Sequence, residues 1–417
     1  MKRWILVILI GTTLISLGFA VIIIDIYRGS YDNKLFDIFA VISLSSLPRI
    51  WRALIFGGSG LILMLIGLLG MNRSMLRPFV KPGKPLFETV SSYRKMERGP
   101  RIVAIGGGTG LSTLLRGLKR HTHNITALVT VADDGGSSGE LRLNLGILPP
   151  GDIRNCLAAL SDDEELITQV FQYRFGKRAK MNGHSLGNLF ISALVDITGS
   201  FEEAVVESGR VLAVRGRVIP STLHDVKLVA EIQLPNRETA VKVMGESQIS
   251  KTDGVIQKLW IQPSNPLPFP PAIQAILMAD LIIIGPGSLY TSILPNLLVP
   301  GLADAIRSSK ALKFYICNVA NERGETDGYS NVDHVKVVEK HLRDLHFDVI
   351  ICNNKFSVNL PKGVEWVLSN PQLEEQYSVY YAPLADEDNP WRHDAELLAE
   401  AVIDLYLERT GPLNKNT

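Results

Sequence analysis

Two stretches near the start of the chain carry no charge at all. Trp4 to Ile24 (WILVILIGTTLISLGFAVIII) runs for 21 residues, long enough to span ~30 Å of hydrocarbon. Ala53 to Met71 (ALIFGGSGLILMLIGLLGM) adds 19 more, so residues 1–75 are expected to form a transmembrane hairpin through 4–24 and 53–71. The first stretch is too long for the ~7 to 15 apolar residues of a signal peptide, and no small-residue cleavage site follows it. Beyond residue 100 the pattern changes. RIVAIGGGTG is a short apolar run that ends in glycines, and LSTLLRGLKRH follows with Leu111, Leu114, Leu115 and Leu118 at helical spacing. ITALVTVADD is a second strand, and such alternation predicts a parallel sheet wrapped by helices.

Helical spacing recurs in IRNCLAALSD, EELITQVFQYRF, SLGNLFISALVDIT and FEEAVVESGRVL. From about residue 211 to 262 the runs RVIPST, VKLVAEIQL, TAVKVM and IQKLWIQP alternate with turn residues, which predicts a small antiparallel insert. LIIIGPGSLYTSI then repeats strand, glycine loop and helix, KFYICNVA and FDVIICNN read as buried strands, and AELLAEAVIDLYLER closes the chain as a helix. The expected architecture is α/β: a Rossmann-like, doubly wound, mainly parallel sheet with a small β-rich insert, preceded by two transmembrane helices. Residues 1–75 form the hairpin, 76–100 a basic, proline-bearing linker, and 101–417 the α/β nucleotide-binding domain.

Charge orients the hairpin. Eight basic residues lie between Asn72 and Arg101 against two acids, and Lys2 and Arg3 precede the first span. Cationic flanks resist translocation, so the expectation is a multi-pass protein of the cell membrane with both termini and the α/β domain in the cytoplasm. The net charge of +1 hides an asymmetry, because residues 1–101 carry +9 and the remainder −8. An acidic domain of this kind does not suggest nucleic-acid binding. Cys156, Cys317 and Cys352 are odd in number and widely spaced, which fits a reducing compartment and neither a disulfide framework nor a zinc site.

The candidate chemistry lies in the glycine loops. Gly106 to Gly110 separates a strand from a helix, where free backbone donors and the helix dipole attract anions. Leu111 breaks the GxGxxG spacing and there is no Walker lysine, so the loop by itself leaves dinucleotide, nucleotide sugar and plain tight turn open. Asp133 and Asp134 end the second strand, where they can meet a ribose hydroxyl or hold a divalent cation such as Mg2+. Ser137 and Ser138 make the next loop hydroxyl-bearing, and Arg142 is placed to reach a phosphate. In PPGDIRNCL, Asp152 is a candidate helix N-cap, with Arg154 and Asn155 in the first turn. GHSLGNL puts His184 and Ser185 at a helix start with Asn188 one turn on, and no base and acid spacing there argues for a nucleophilic triad. GPGSLYTSI offers Gly287 and Ser288 at a helix entrance, with Tyr290 either stacking on a base or sugar or packing in the core. No site is assigned after about Asn354.

GGGTGLS, ADDGGSSGELR, PPGDIRNC, GHSLGNL, GPGSLYTS and GETDGYS, in this order and spacing, resemble the YvcK/CofD-like family of gluconeogenesis factors over residues 101 to about 355. The resemblance implies a nucleotide-sugar-binding regulatory protein with UDP-N-acetylglucosamine as ligand, linking carbon metabolism to cell-wall synthesis and cell shape. Its partners would be cell-envelope synthesis proteins, and a homo-oligomer is left open. It also implies kinship with the magnesium-dependent 2-phospho-L-lactate transferases, which is the alternative activity. Carried over by motif, Gly107, Gly108, Thr109 and Gly110, Asp133 with Asp134, Asn155, His184 with Asn188, and Gly287 with Ser288 and Tyr290 would line the ligand cleft. The chain departs from the family pattern in its hairpin and at Asn321 and Glu322, where threonine and glutamine are usual.

Overall fold

A computed structural model describes residues 96–411 apart from 163, 177–182, 236, 343–344 and 357–359, together with positions 12, 16, 23, 46–48 and 51. The chain divides into two compact units, Met1–Val90 and Ser91–Thr417. The expected hairpin falls in the first unit and, apart from those isolated positions, lies outside the described residues. Among the described residues no single helix is long and apolar enough to cross a membrane.

Ten strands follow in chain order: β1 (Ile102–Gly106), β2 (Ile125–Val129), β3 (Arg217–Pro220), β4 (Lys227–Gln233), β5 (Val241–Met244), β6 (Val255–Gln262), β7 (Leu281–Ile284), β8 (Leu312–Ile316), β9 (Val349–Asn353) and β10 (Val379–Ala382). Seven of them form one sheet in the order β10-β9-β8-β7-β1-β2-β3. Every pairing in it is parallel. The central strands β1, β2, β7 and β9 are buried at every position. Helices on both faces leave no solvent-facing side, hence their continuous apolar runs. The edge strands β3 and β10 keep exposed positions.

The order of strands decides where a ligand can sit. From β1 the chain moves outward through β2 to β3, and after the insert it returns to β7 on the other side of β1 and moves outward again to β10. Right-handed crossovers in opposite directions put the helices on opposite faces, and a crevice opens between β1 and β7, where the direction reverses. The helix after β1, Gly108–Leu118, buries Leu111, Leu114, Leu115 and Leu118 completely, each worth roughly 1.5–3 kcal/mol. Its other side meets the C-terminal helix Ala395–Thr410. A Cβ on Gly117 would lie 1.9 Å from the Ala395 carbonyl oxygen, so only glycine permits this approach.

One sequence expectation is corrected and one strand was missed. The run RVIPST was assigned to the insert, but its first four residues are β3 and pair with β2 in the main sheet. The antiparallel insert is therefore β5-β4-β6, residues 227–262. Four alternating residues at a sheet edge and four in a hairpin have the same period, so sequence alone does not separate them. The edge strand β10, in SVYYA, was not read at all.

Candidate functional site

The two glycine loops leave the carboxyl ends of neighbouring strands. Gly107 caps the helix Gly108–Leu118 with extended backbone and no side-chain bond, and Gly108 has φ +61°. The loops touch each other. A Cβ on Gly110 would lie 2.8 Å from the Pro286 oxygen and 2.9 Å from Gly287 Cα and N. Asn318, just past β8, clamps the second loop from the far side: its Oδ1 accepts from Gly287 N at 3.1 Å and its Nδ2 donates to the Gly287 oxygen at 2.9 Å. Asn296, fully buried, donates from Nδ2 to the Gly106 oxygen at 2.8 Å, so side-chain amides hold both loops. Between them lies a cleft of about 240 Å³, lined by Gly107–Gly110, Gly287, Ser288, Asn318–Glu322 and Trp391–His393.

Behind the first loop stand buried carboxyls. Asp152 is not the N-cap expected of it. Pro150 takes that position without a side-chain bond, and Asp152 turns inward to accept from the Gly108 amide. A Cβ on Gly107 would lie 2.4 Å from Asp152 Oδ2, so this glycine makes room for a carboxylate of the protein itself. Burial first, and then Asp133, push the Asp152 carboxyl up to about 7, against the pull of Gly108 and Arg154. Burial also raises Asp133, which accepts from Gly135 N at 2.8 Å. Glu246, from the insert, is driven up to about 7 by burial and then by Asp133 and Asp134. Glu325 reaches about 8 through burial and Glu322.

A second cluster gathers residues far apart in sequence. Ser137 Oγ lies 3.0 Å from His184 Nδ1, and Asn188 Nδ2 donates to the same Oγ at 3.0 Å. Arg154 Nη1 donates to Asn188 Oδ1 at 3.1 Å and Nη2 to Asn155 Oδ1 at 2.8 Å. Ser138 bonds the Asp133 carboxyl. Thus Asn155, His184, Asn188 and Ser137 do come together, while Gly107–Gly110, Gly287 and Ser288 line the cleft.

Three sequence assignments do not survive the packing. Arg142 is 8% exposed, and its guanidinium is held by Asp225, the Val226 oxygen and the Asp133 oxygen, which leaves it as a structural pin, not a phosphate ligand. Tyr290 is 1% exposed, with its hydroxyl 3.1 Å from that of Tyr329 and its ring edge-on to His341, so it packs and does not stack on a base. Asp134 Oδ1 accepts from Ser247 N at 2.9 Å, fastening the insert's short helix Glu246–Ile249. Asp133 acts electrostatically on both Asp134 and Asp152.

The sequence reading missed Trp391, Arg392 and His393, which the contact between the C-terminal helix and Gly117 carries to the first loop. Arg392 is the one cationic side chain among the described residues that line the cleft. His393 is buried, and burial lowers it to about 4. One ring nitrogen bonds the Cys317 backbone, and because a carbonyl only accepts, that nitrogen carries the proton. Nε2 has no protein partner, which leaves a lone pair for a donor on a ligand. Spacing offered no signal for these residues, since only the helix contact makes them local to the site.

A profile of the family described as 2-phospho-L-lactate transferase CofD matches residues 102–409. The chain belongs to the CofD family. A protein of Nostoc sp. is 47% identical over 367 residues, which is 85% of this chain and 77% of its own length. The gluconeogenesis factor of Bacillus subtilis is 45% identical over 322 residues, 75% of this chain and 100% of its own length. The crystal structure of a UPF0052-family protein from Bacillus halodurans superposes with a TM-score of 0.68 at 41% identity, covering 73% of this chain and 99% of that one. The resemblance to gluconeogenesis factors carried by the six motifs is borne out, and this CofD-family chain is similar to them across the α/β domain.

Proposed function

We propose that this CofD-family protein is a membrane-tethered regulator that binds a nucleotide sugar of the UDP-N-acetylglucosamine type and links carbon metabolism to cell-wall synthesis and cell shape. One observation carries the reading. Two glycine loops meet at the point where the strand order reverses, with Arg392 as the one arginine among the described residues lining the cleft. The amides of Thr109 and Gly110 precede the helix ladder, the place where phosphate oxygens are held. Arg392 supplies the opposite charge, and the lone pair of His393 Nε2 can accept from an imide or hydroxyl. A cleft of about 240 Å³ is smaller than the ~300–1,000 Å³ of whole-ligand sites, so the diphosphate and one flank fill it and the rest extends along its open side. Tethering through residues 4–24 and 53–71 would keep the site at the cytoplasmic membrane surface, within reach of envelope-building partners. Calorimetry of the full-length protein with UDP-N-acetylglucosamine should give saturable binding without turnover. Heat indistinguishable from dilution would end this reading.

The acids favour a second reading, a magnesium-dependent phospho-group transferase. Among the described residues no group of three or more carboxylate, imidazole or thiolate side chains forms a metal cage. Magnesium keeps water and phosphate oxygens and needs only one or two carboxylates, a donor set that Asp133 and Asp152 match. In that case the cation would neutralise phosphate charge, and these two side chains would position it.

pH separates the two. The folded values of Asp152 and Glu246 stand above their ordinary 3.8 and 4.5, at about 7. Their contribution to stability is therefore complete below about pH 4 and lost as pH rises through about 7. The ligand-free protein should melt lower at pH 8 than at pH 6. Without metal, a nucleotide diphosphate should bind more tightly as pH falls from 8 to 6, by about tenfold for one unit of coupling, and Asp152→Asn should flatten that dependence. Required magnesium reverses the sign, because deprotonated carboxylates then hold the ion. Titrations at both pH values with EDTA or with magnesium decide.

A further inference from the structure

The serine on the helix after β2 has partners that the binding reading does not use. Arg154 Nη1 donates to Asn188 Oδ1 at 3.1 Å. A guanidinium only donates, so the amide oxygen of Asn188 must face it and the amide NH2 must face Ser137, whose Oγ accepts at 3.0 Å. The one Ser137 hydroxyl proton is then left for the other neighbour, His184 Nδ1 at 3.0 Å. Glu140, whose Oε2 lies 3.3 Å from His184 Nε2, can only accept and so favours the proton on that nitrogen, which leaves Nδ1 to accept from Ser137. The proton order is that of a hydroxyl resting on a base, with the base oriented by a carboxylate. Glu140 is 61% exposed along its side chain, so its orienting effect is small.

The location suits a nucleophile. Ser137 sits in the first turn of the helix Gly136–Leu145, whose first ladder bond runs from Gly139 N to the Gly135 oxygen. The amides of Gly136, Ser137 and Ser138 lie ahead of that bond, where they can donate to a developing oxyanion. Ser137 is buried at 7% exposure, and the His184 side chain keeps 15%. Nearby stand the carboxyls of Asp133 and Asp134. They disfavour an anionic phosphate ester and leave an uncharged carbonyl unopposed.

We propose that Ser137 is the nucleophile of an esterase-type activity, with His184 as general base and an uncharged carboxylic ester as substrate. Ser137 Oγ attacks the carbonyl carbon, the Oγ–C bond forms, and the hydroxyl proton passes to His184 Nδ1. The tetrahedral adduct collapses, the ester C–O bond breaks, and the alkoxide leaves with the proton from His184. Water, deprotonated by the same nitrogen, adds to the acyl carbon; the Oγ–C bond breaks, the proton on His184 returns to Ser137 Oγ, and the carboxylic acid leaves. Asn188 and Arg154 act through Ser137 as positioning residues.

The inference goes beyond nucleotide-sugar binding and does not rest on it. The test is an uncharged fluorophosphonate probe on the full-length protein, which forms Oγ–P, expels fluoride and leaves the proton on His184. Intact mass should show one adduct, and peptide mapping should place it on Ser137. His184→Asn should slow labelling by about 10²–10⁴-fold, the range of general-base catalysis, Ser137→Ala should abolish it, and Glu140→Gln should change it only a few-fold. p-Nitrophenyl acetate turnover should follow the same order. No adduct, an adduct elsewhere, or His184→Asn labelling at the unaltered rate overturns the proposal, and the mapped site on the unsubstituted protein decides even where a variant does not fold. UDP-N-acetylglucosamine calorimetry on the same preparation tells the two readings apart, because either signal can fail while the other persists.

Discussion

Gly110→Ala is expected to lower stability by about 1–3 kcal/mol, the cost of forcing a methyl into filled space, and to weaken UDP-N-acetylglucosamine binding at least tenfold. The added carbon would meet the Pro286 oxygen at 2.8 Å and Gly287 Cα and N at 2.9 Å. All three are backbone atoms, so no rotamer change relieves the clash, and the second loop must withdraw from the first. The amide clamp of Asn318 opposes that withdrawal, and part of the strain goes into stability instead. Gly176→Ala is the control, because nothing lies within 4 Å of its added carbon and a change within about 0.5 kcal/mol is expected there. Thermal melts measure the first effect and calorimetry the second. A Gly110→Ala protein that melts and binds like the control would remove the contact between loops as the basis of the site.

Arg392→Ala should weaken the same binding by about 10–100-fold, the equivalent of the ~1.5–3 kcal/mol of a hydrogen bond to a charged group. Arg392 is exposed and is the one cation among the described residues of the cleft, so its removal should leave the melting temperature within a degree or two. Arg392→Lys should recover only part of the affinity, because an ammonium lacks the planar fork that grips two phosphate oxygens. Calorimetry at fixed salt reads all three proteins. Full affinity in Arg392→Ala would move the phosphate away from the C-terminal segment and back to the loop amides alone.

The structure gives the glycines a meaning that their spacing did not carry. Gly106 to Gly110 reads from sequence as a run opened for a phosphate. Two of its members are instead opened for the protein: Gly107 admits Asp152, and Gly110 admits the second loop. Gly108 faces open space, with only Ser292 Oγ at 3.8 Å, and remains the position where ligand can approach backbone. Arg142 was misread, and Tyr290 was left open between stacking and packing, for a related reason. Each stands in a motif assigned to the site, and its side chain turns inward, where Asp225 and Tyr329 take the polar ends.

Local chemistry was legible wherever it depends on neighbours in the chain. The largely apolar runs of β1, β2, β7 and β9, the glycine punctuation after β1 and β7, and the helix that buries Leu111 to Leu118 all follow from hydrophobic period and backbone sterics. Those features determined the α/β class, the parallel sheet and the six motifs that mark the family. Only the tertiary structure decided which of them meet. Strand order put the two glycine loops side by side, the Gly117 contact brought Arg392 and His393 to the first loop, and packing joined Ser137 to His184 and Asp152 to Gly108. The physical reason is that covalent neighbours set dihedral and hydrophobic preferences within a few residues. Proximity between distant segments comes from the one arrangement that buries every apolar face at once.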